Sequence, residues 1–237
     1  MIYSLSKENH NNFSKTYVPS RLLLGPGPSN AHPEVLKALS LNPIGHLDDA
    51  YLELMSDVQQ LLRYAWQCDN RVSLPMSGTG SAAMEASIAN FIEKDETILI
   101  AKKGYFGDRL VDMASRYKAN VVVIEKEWGE AFSLDEIKFQ IEKNKPSIFA
   151  IVHAETSTGV LQPLEGIGEI CRKNNCLFLV DAVTSLGAVK LLVDHWKIDL
   201  AYSCSQKGLS CPPGLSPFTM NNRAEEKLNK RKSKVPN

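Results

Sequence analysis

The feature that most constrains the fold of this chain is the alternation of apolar runs with helix-forming stretches from Val72 onward. Apolar, mostly β-branched runs of strand length occur at 72–75, 97–101, 120–125, 147–152, 176–181 and 200–203. Helices are predicted between them at 82–92, 107–117, 133–143 and 164–173. This order is typical of an α/β fold with a mostly parallel central sheet, helices on both faces and ligands at the carboxyl ends of the strands.

Helices and one rigid loop flank this alternation. The segment 22–29 contains two prolines and two glycines, which favour a sharply shaped loop over a helix. Ser29 or Asn30 is predicted either to cap a helix that ends near Leu39 or to contact a ligand directly. Two further helices are predicted at 49–66, as a packing element, and at 222–231.

The charge balance argues against several function classes. Lys plus Arg equals Asp plus Glu, 27 of each, so no global charge favours nucleic acid or an anionic membrane as a partner. Five cysteines without a CxxC pair favour reduced thiols over a disulfide framework. The polar stretch 1–17 differs from a signal peptide, and no run approaches the ~20 apolar residues that span a bilayer. We therefore expect a cytoplasmic protein.

Four polar clusters each follow a predicted strand, and the first two suit a flat, phosphorylated ligand. The cluster at 77–81, Ser-Gly-Thr-Gly-Ser, opens into a helix whose free N–H groups and positive dipole end suit a phosphate. A tight structural turn is the alternative. The cluster at 104–107, Gly-Tyr-Phe-Gly, holds Phe106 between two glycines, where its ring could stack on a ligand or belong to the core.

The third cluster, His-Ala-Glu-Thr-Ser-Thr-Gly at 153–159, contains an HxE pair and three hydroxyls. His153 and Glu155 lack the PCxxC segment that completes a zinc deaminase pattern, so no metal site is predicted. The hydroxyls of Thr156, Ser157 and Thr158 could bond a phenolic oxygen or a phosphate, or could cap the next segment.

The fourth cluster ends in the carboxylate of Asp181, and Lys207 follows the next predicted strand. Asp181 ends an apolar strand, where it needs an Arg or Lys partner or the protonated nitrogen of a pyridine ring. Lys207 is either a solvated loop lysine or an amine that forms a Schiff base. A phosphate loop, a stacking aromatic, a carboxylate for a pyridine nitrogen and a Schiff-base lysine are what pyridoxal 5'-phosphate requires.

With these motifs in this order, the chain resembles the alanine-glyoxylate and serine-pyruvate aminotransferase branch of the class V, fold-type I pyridoxal-phosphate enzymes. The matching motifs are Leu-Leu-Leu-Gly-Pro-Gly-Pro-Ser-Asn at 22–30, Ser-Thr-Gly-Val-Leu-Gln-Pro-Leu at 157–164, Ser-Gln-Lys at 205–207 and Pro-Pro-Gly at 212–214. The resemblance implies that Lys207 binds the cofactor covalently and that Asp181 holds its ring nitrogen.

The resemblance also assigns the remaining contacts. Thr156 would contact the ring hydroxyl, and Phe106 would stack on the ring where the family usually has a tryptophan. Ser29 and Asn30 would lie near the substrate carboxylate. The phosphate would be bound by Thr79, Gly80, Ser81 and Gln206.

An organisation in two parts follows from the same resemblance: an N-terminal arm at 1–21 and a cofactor-binding large domain at 22–237. Members of the family continue into a smaller C-terminal domain that carries the arginine for the substrate carboxylate, and we expect that domain to be absent from this chain. The implied activity is amino-group transfer from alanine or serine to glyoxylate or pyruvate. The implied assembly is a homodimer, or a complex with a complementing C-terminal chain.

Three other functions remain open at this stage. The chain could be a cofactor-binding fragment without turnover. It could be an accessory subunit, since some relatives have been labelled as the small subunit of a soluble hydrogenase, although the sequence lacks the cysteine pattern of an iron-sulfur or nickel site. It could be a cysteine desulfurase, because Cys204 and Cys211 lie near Lys207, but no mobile catalytic-cysteine loop is recognisable.

Overall fold

A mixed β-sheet organises residues 18–235, which are the residues that this computed structural model describes. Residues 1–17 of the predicted N-terminal arm lie outside that range. The strands are β1 (Val72–Ser77), β2 (Thr97–Lys102), β3 (Asn120–Glu125), β4 (Ile148–Val152), β5 (Leu177–Asp181), β6 (Leu200–Tyr202) and β7 (Leu215–Met220). The helices are α1 (Pro33–Ala38), α2 (Asp49–Trp66), α3 (Gly80–Phe91), α4 (Tyr105–Arg116), α5 (Leu134–Asn144), α6 (Ile167–Lys173) and α7 (Asn222–Asn229).

The order of the strands gives the sheet one edge where ligand contacts can gather. The order is β1-β7-β6-β5-β4-β2-β3. The five strands from β3 to β6 pair in parallel, whereas β7 runs antiparallel to both neighbours, β6 and β1. Because β7 reverses the direction on each side, β1 points the same way as the parallel strands. The predicted mostly parallel sheet is confirmed, and every described strand except β7 has its carboxyl end at one edge.

Two hydrophobic layers cover the two faces of the sheet, because successive side chains of a strand point to opposite faces. On β2, Ile98 and Ile100 belong to a layer completed by α3, α4 and α7. Leu99 belongs to the other layer, completed by α2, α5 and α6. All three side chains are fully buried, and each such burial stabilises the fold by about 2 kcal/mol. The predicted placement of helices on both faces is therefore confirmed.

The capping role predicted for Ser29 or Asn30 is wrong. Helix α1 begins at Pro33, and its N-cap is His32, whose Nδ1 accepts a hydrogen bond from the Glu34 N–H at 3.3 Å. The Ser29 hydroxyl instead donates to the Lys207 carbonyl at 2.9 Å. The Asn30 side chain is likewise engaged in tertiary contacts. Proline at the first helical position fixes the start of the helix later than the polar pair suggested.

Strand β7 was missed because its sequence, Leu-Ser-Pro-Phe-Thr-Met, has a proline near its middle. A proline cannot donate to a ladder, so it weakens a strand prediction. In the sheet Pro217 lies opposite Pro75 of β1, and its carbonyl still accepts a bond from the Ser203 N–H at 2.8 Å. Local propensity was therefore overridden by pairing with two neighbours.

The long helix α2 has the predicted bounds, 49–66, but only part of its apolar surface is covered. Leu62 and Trp66 are buried against the sheet, whereas Leu52 and Leu54 are each more than half exposed. Tyr64 is also exposed. No helix among residues 18–235 combines the length and the apolar character needed to cross a bilayer.

Candidate functional site

The predicted site segments gather at the carboxyl edge of the sheet because each one follows a strand that ends there. A side chain placed just after a parallel strand faces the crevice where α/β proteins bind their ligands. The residues concerned are Thr79, Gly80 and Ser81 after β1, Phe106 after β2, Thr156 after β4, Asp181 at the end of β5, and Gln206 and Lys207 after β6.

Asp181 is a carboxylate that is only 2% exposed. Its Oδ1 accepts a bond from the Val183 N–H at 2.9 Å, and its Oδ2 accepts a bond from the Tyr202 hydroxyl at 2.8 Å. Burial raises the pKa of Asp181 from 3.8 to about 6. Within residues 18–235 no salt bridge includes this carboxylate. Of the two partners that the sequence allowed, a structural Arg or Lys in direct contact is therefore not found in this part of the chain, although the charge of nearby Lys103 opposes the rise in the pKa of Asp181.

The loop at 79–81 forms the first turn of α3. Thr79 is the N-cap residue, and within the described chain its side chain makes no capping bond. First-turn N–H groups have no partner inside their own helix, so they are available to an anion. Gly80 packs closely here, because a Cβ at this position would lie 3.0 Å from a methyl group of Val183. The turn thus offers N–H groups to an anion beside the loop that follows Asp181.

Lys207 is held by the rigid loop at 22–29. Its Nζ donates to the Pro26 carbonyl. Gly27 has a φ of +123°, and a Cβ at that position would overlap the Lys207 side chain. The Ser29 N–H donates to the Gln206 carbonyl at 2.9 Å. The two prolines and two glycines of the loop therefore shape a surface that holds the lysine.

Two other polar side chains remain for a ligand at this edge. The Oε1 of Gln206 is buried and has no hydrogen-bond partner among the described residues. Rotation of that amide would offer a donor in place of the acceptor. The Thr156 hydroxyl lies 2.5 Å from the Thr184 hydroxyl, which ties the loop after β4 to the loop after β5. Both side chains are half-buried beside the open edge.

Phe106 lies in the first turn of α4 and is half-buried against the layer formed by α3 and α4. The neighbouring Tyr105 ring packs edge-to-face with it, with 5.4 Å between ring centroids. Each flanking glycine avoids a different steric overlap. A Cβ at Gly107 would lie 3.0 Å from the Lys102 Cα, and a Cβ at Gly104 would collide with Glu155. The glycines therefore fix where the aromatic residue stands.

Three functional candidates were missed by sequence reasoning. Tyr202 was read as part of an apolar strand, yet its hydroxyl bonds Asp181. Arg109 matched no motif, yet it reaches the phosphate-loop candidate, with its Nη2 3.4 Å from the Ser81 hydroxyl. Glu155 was weighed only as half of an HxE pair, yet its carboxylate bonds the start of α4. A polar residue within an apolar run was the only available signal for Tyr202.

The side chains of His153 and Cys204 bear on two of the alternative chemistries. His153 packs edge-on against Trp196 at 5.9 Å between centroids, and burial lowers its pKa to about 4. The His153 ring therefore packs on the segment that carries Trp196, whereas the Glu155 carboxylate bonds the start of α4. Cys204 is 1% exposed, and burial raises the pKa of its thiol. A buried thiol with a raised pKa is poorly suited to the nucleophilic attack that a desulfurase requires.

The residues present fit pyridoxal 5'-phosphate. A buried carboxylate whose pKa burial has raised, with no cation bonded to it in the described structure, suits the protonated nitrogen of a pyridine ring. The unpartnered Gln206 amide and the open first turn of α3 suit a phosphate. Lys207 supplies a primary amine at the same edge.

The comparisons with known proteins agree with this fit. The chain matches the family described as aminotransferase class-V over residues 23–234. The alanine–glyoxylate aminotransferase of Mus musculus is 43% identical over 217 residues, covering 92% of this chain and 52% of its own length. The (S)-ureidoglycine–glyoxylate transaminase of Bacillus subtilis is 42% identical over 214 residues, covering 90% of this chain and 51% of its own length.

A solved structure extends the likeness to the whole described fold. The crystal structure of the alanine–glyoxylate aminotransferase from Nostoc sp. superposes with a TM-score of 0.95 at 58% identity, covering 99% of this chain and 62% of that chain. The chain spans about half the length of the curated relatives it matches.

Proposed function

The chain belongs to the class-V aminotransferase family, and on this premise we propose that it is the cofactor-binding part of an enzyme that transfers an amino group from alanine or serine to glyoxylate or pyruvate. Class-V aminotransferases use pyridoxal 5'-phosphate. Glyoxylate occurs in the names of both relatives described above, which supports it as the acceptor. The observation that carries the proposal is a buried carboxylate, Asp181, that ends the strand next to the one leading to Lys207.

The cofactor would be held by residues at the carboxyl ends of five strands. Asp181 would bond the ring nitrogen, and its negative charge would keep that nitrogen protonated. Thr156 would contact the ring hydroxyl, and Phe106 would pack on the ring face. The phosphate would be bound by Thr79, Gly80, Ser81 and Gln206.

The chemistry depends on the amine of Lys207. Pyridoxal 5'-phosphate, when bound, supplies an electron sink for the bonds at the substrate Cα. Lys207 would hold the cofactor through its amine, and the same amine, once free, would take and hold the proton from the substrate Cα. The Pro26 carbonyl, which accepts a bond from this amine in the cofactor-free chain, orients Lys207 before the cofactor binds.

Ser29 and Asn30 are proposed to lie near the substrate carboxylate. Ser29 donates to the Lys207 carbonyl at 2.9 Å, and Asn30 donates to the Arg21 carbonyl at 2.9 Å. A carboxylate needs donors, so direct contact would require these bonds to be exchanged. Their present bonds instead support a role in holding the loop at 22–29 beside the lysine.

The proposal is tested by titrating the full 237-residue chain with pyridoxal 5'-phosphate and recording the visible absorption. We expect a protein-bound band that requires Lys207 and is lost in Lys207→Ala. Addition of alanine or serine should then bleach the band if the half-reaction proceeds. Lys190→Ala, a change at a lysine outside the site, is the matched control and should keep the band.

Each other outcome has a definite meaning. A band that requires Lys207 but ignores every amino acid would indicate a cofactor-binding fragment without turnover, as one alternative holds. A band that persists in Lys207→Ala, or no band at all, would contradict the assignment of Lys207. Bleaching by cysteine with release of sulfide would favour the desulfurase alternative.

An assembly with a second copy or with a complementing C-terminal chain is also proposed. Its support is the exposed apolar surface of the first third of the described chain, including Leu24 at 84% and Leu47 at 79% exposed. Contiguous exposed apolar surface marks interaction sites. Light scattering on the purified chain distinguishes a dimer from a monomer.

The division into an arm at 1–21 and a cofactor-binding domain at 22–237 stays a prediction. The Asn30 side chain bonds both the Arg21 carbonyl at 2.9 Å and the Leu23 N–H at 2.8 Å, so it ties the end of the proposed arm to the start of the domain. Location in the cytoplasm also stays a prediction of the cysteine content. Cell fractionation tests the second point.

A further inference from the structure

The first turn of α4, which carries Phe106, is held by a carboxylate from another loop. The Glu155 side chain follows β4 and accepts bonds from the N–H groups of Phe106 at 3.3 Å and Gly107 at 3.4 Å. The helix begins after Gly104, which has no side chain of its own to cap it. A distant carboxylate thus takes the place of a local N-cap and complements the helix dipole.

Ser157 extends the same contact. Its hydroxyl donates to the Glu155 carboxylate at 2.8 Å and accepts a bond from the Tyr105 N–H at 3.0 Å. The approach is possible only because residue 104 is glycine. A Cβ at Gly104 would lie 2.6 Å from both the Glu155 Cδ and the Ser157 hydroxyl. The Gly-Tyr-Phe-Gly segment therefore packs closely against the loop after β4.

The charge of Glu155 lies near a buried lysine. The Glu155 side chain is 1% exposed, and an isolated carboxylate buried to that extent would be costly. Lys103, also 1% exposed, forms no salt bridge with it among the described residues, and burial lowers the pKa of this amine to about 8 although the charges of Glu155 and Asp181 oppose the shift. Lys103 donates to the Val160 carbonyl at 3.2 Å, which also accepts a bond from the Glu155 N–H at 3.0 Å. Lys103 and Glu155 thus both stabilise the loop after β4.

The loop that carries Glu155 reaches the proposed cofactor site one residue later, at Thr156. Thr156 is bonded to Thr184, in the loop that follows Asp181. A shift of the loop would therefore move two proposed cofactor contacts together, the ring-hydroxyl contact directly and the stacking ring through α4.

We propose that Glu155 is a positioning residue that sets the Phe106 ring on the cofactor and couples it to the loop of Thr156. The inference rests on the proposed function, because it requires pyridoxal 5'-phosphate at this edge. Glu155 touches neither cofactor nor substrate and acts only through α4 and its own loop.

A double-mutant cycle on the full chain tests this role, with the dissociation constant of pyridoxal 5'-phosphate as the measurement. Glu155→Gln keeps the size of the side chain but replaces one accepting oxygen with a donor, so we expect ~10-fold weaker binding. In a Phe106→Leu background the same change should cost less than ~2-fold, because residues that act as a unit are not additive. The circular dichroism of the bound cofactor should weaken in Glu155→Gln and Phe106→Leu alike.

Equal losses of affinity in the two backgrounds would overturn the proposal and leave Glu155 a helix cap only. Ser133→Ala is the matched control, since Ser133 caps α5 through its own hydroxyl. This control should lower the midpoint of unfolding without changing the dissociation constant. If Glu155→Gln does not fold, Ser157→Ala replaces it in the cycle and should show a smaller loss with the same non-additivity.

The cycle also separates this inference from the proposed function. If the unsubstituted chain gives no Lys207-dependent cofactor band, the proposed function and the positioning role are both overturned. A normal band together with an additive cycle would overturn the positioning role alone.

Discussion

Two buried aspartates, Asp181 and Asp199, sit at opposite edges of the same sheet and differ in their partners. Asp199 precedes β6 at the amino edge, is fully buried, and accepts bonds from the Arg223 guanidinium at 2.7 Å and the Asn221 amide at 2.8 Å. It also accepts the Phe178 N–H at 2.9 Å. Asp181 ends β5 at the carboxyl edge, is as deeply buried, and is bonded by one backbone N–H and one phenol.

The difference teaches how to separate a structural carboxylate from a functional one. A buried charge that serves the fold is matched by a cation from the same chain, as Asp199 is by Arg223. A buried charge kept for a ligand lacks a cation in direct contact, and its pKa is raised by burial, as for Asp181 among the described residues. The two residues therefore make opposite predictions when they are replaced.

The largest effect is expected from Asp199→Ala. The change leaves the buried Phe178 N–H without its acceptor and removes the counter-charge of Arg223, whose partly exposed guanidinium keeps only the Cys176 carbonyl. Removing one partner of a buried ion pair costs about 3–5 kcal/mol. Urea denaturation at pH 7.5 should show this loss in the free energy of unfolding. Asp112→Asn is the control, since Asp112 forms an exposed pair with Arg116 on α4 and should change stability by less than ~0.5 kcal/mol.

An intermediate effect, visible only as a pH dependence, is expected from Asp181→Asn. Because the pKa of Asp181 rises from 3.8 to about 6 on folding, the native state binds its proton more tightly than the unfolded state. Stability from this group is therefore full below pH ~4 and is lost as the pH rises through 6, by about 3 kcal/mol. Urea midpoints of the cofactor-free chain, measured from pH 4 to 7.5, should show this loss relative to Asp181→Asn.

The difference between the two curves is the informative quantity, because all other groups titrate in both proteins. A constant difference across this range would mean that Asp181 is compensated like Asp199, which would remove the contrast between them. The same variant should weaken binding of pyridoxal 5'-phosphate, whereas Asp199→Asn should not, provided that it remains folded.

The smallest effect is expected from Tyr202→Phe. The phenol donates to Asp181 and favours its ionised form, so its loss should raise the pKa of Asp181 further. A neutral donor to a charged group contributes about 1.5 kcal/mol, which corresponds to about one pH unit. The transition in the stability difference should therefore move upward by about that amount. An unmoved transition would mean that the hydrogen bond to Tyr202 does not tune the carboxylate.

Much of the fold could be predicted from the sequence. The helix at 49–66 and the strand at 120–125 have the predicted bounds, and other elements differ by a few residues at their ends. Their apolar periodicity is strong because each element buries one face or both. Strand β7 could not be predicted in this way, because Pro217 removes a ladder donor and only pairing with β1 and β6 makes the segment a strand.

The sequence predicted residues of the candidate site but not the residues that hold them in place. Asp181 could be found because a charged residue at the end of an apolar run is conspicuous, whereas Lys207 could be assigned only from the other clusters and the family resemblance. Glu155 could not, since its role depends on Gly104 in a different loop. Contacts between residues about 50 positions apart leave no local pattern.

The sequence by itself determined the alternation of strands and helices, the edge at which the polar clusters gather, and the family, because these depend on local periodicity and on motif order. Only the tertiary structure decided which buried carboxylates form a salt bridge with a cation. Asp181 and Asp199 look alike along the chain, each beside an apolar strand. What separates them is the presence of Arg223 beside one and its absence from the other within residues 18–235. That difference is a matter of distance in space, on which the energy of a buried charge depends.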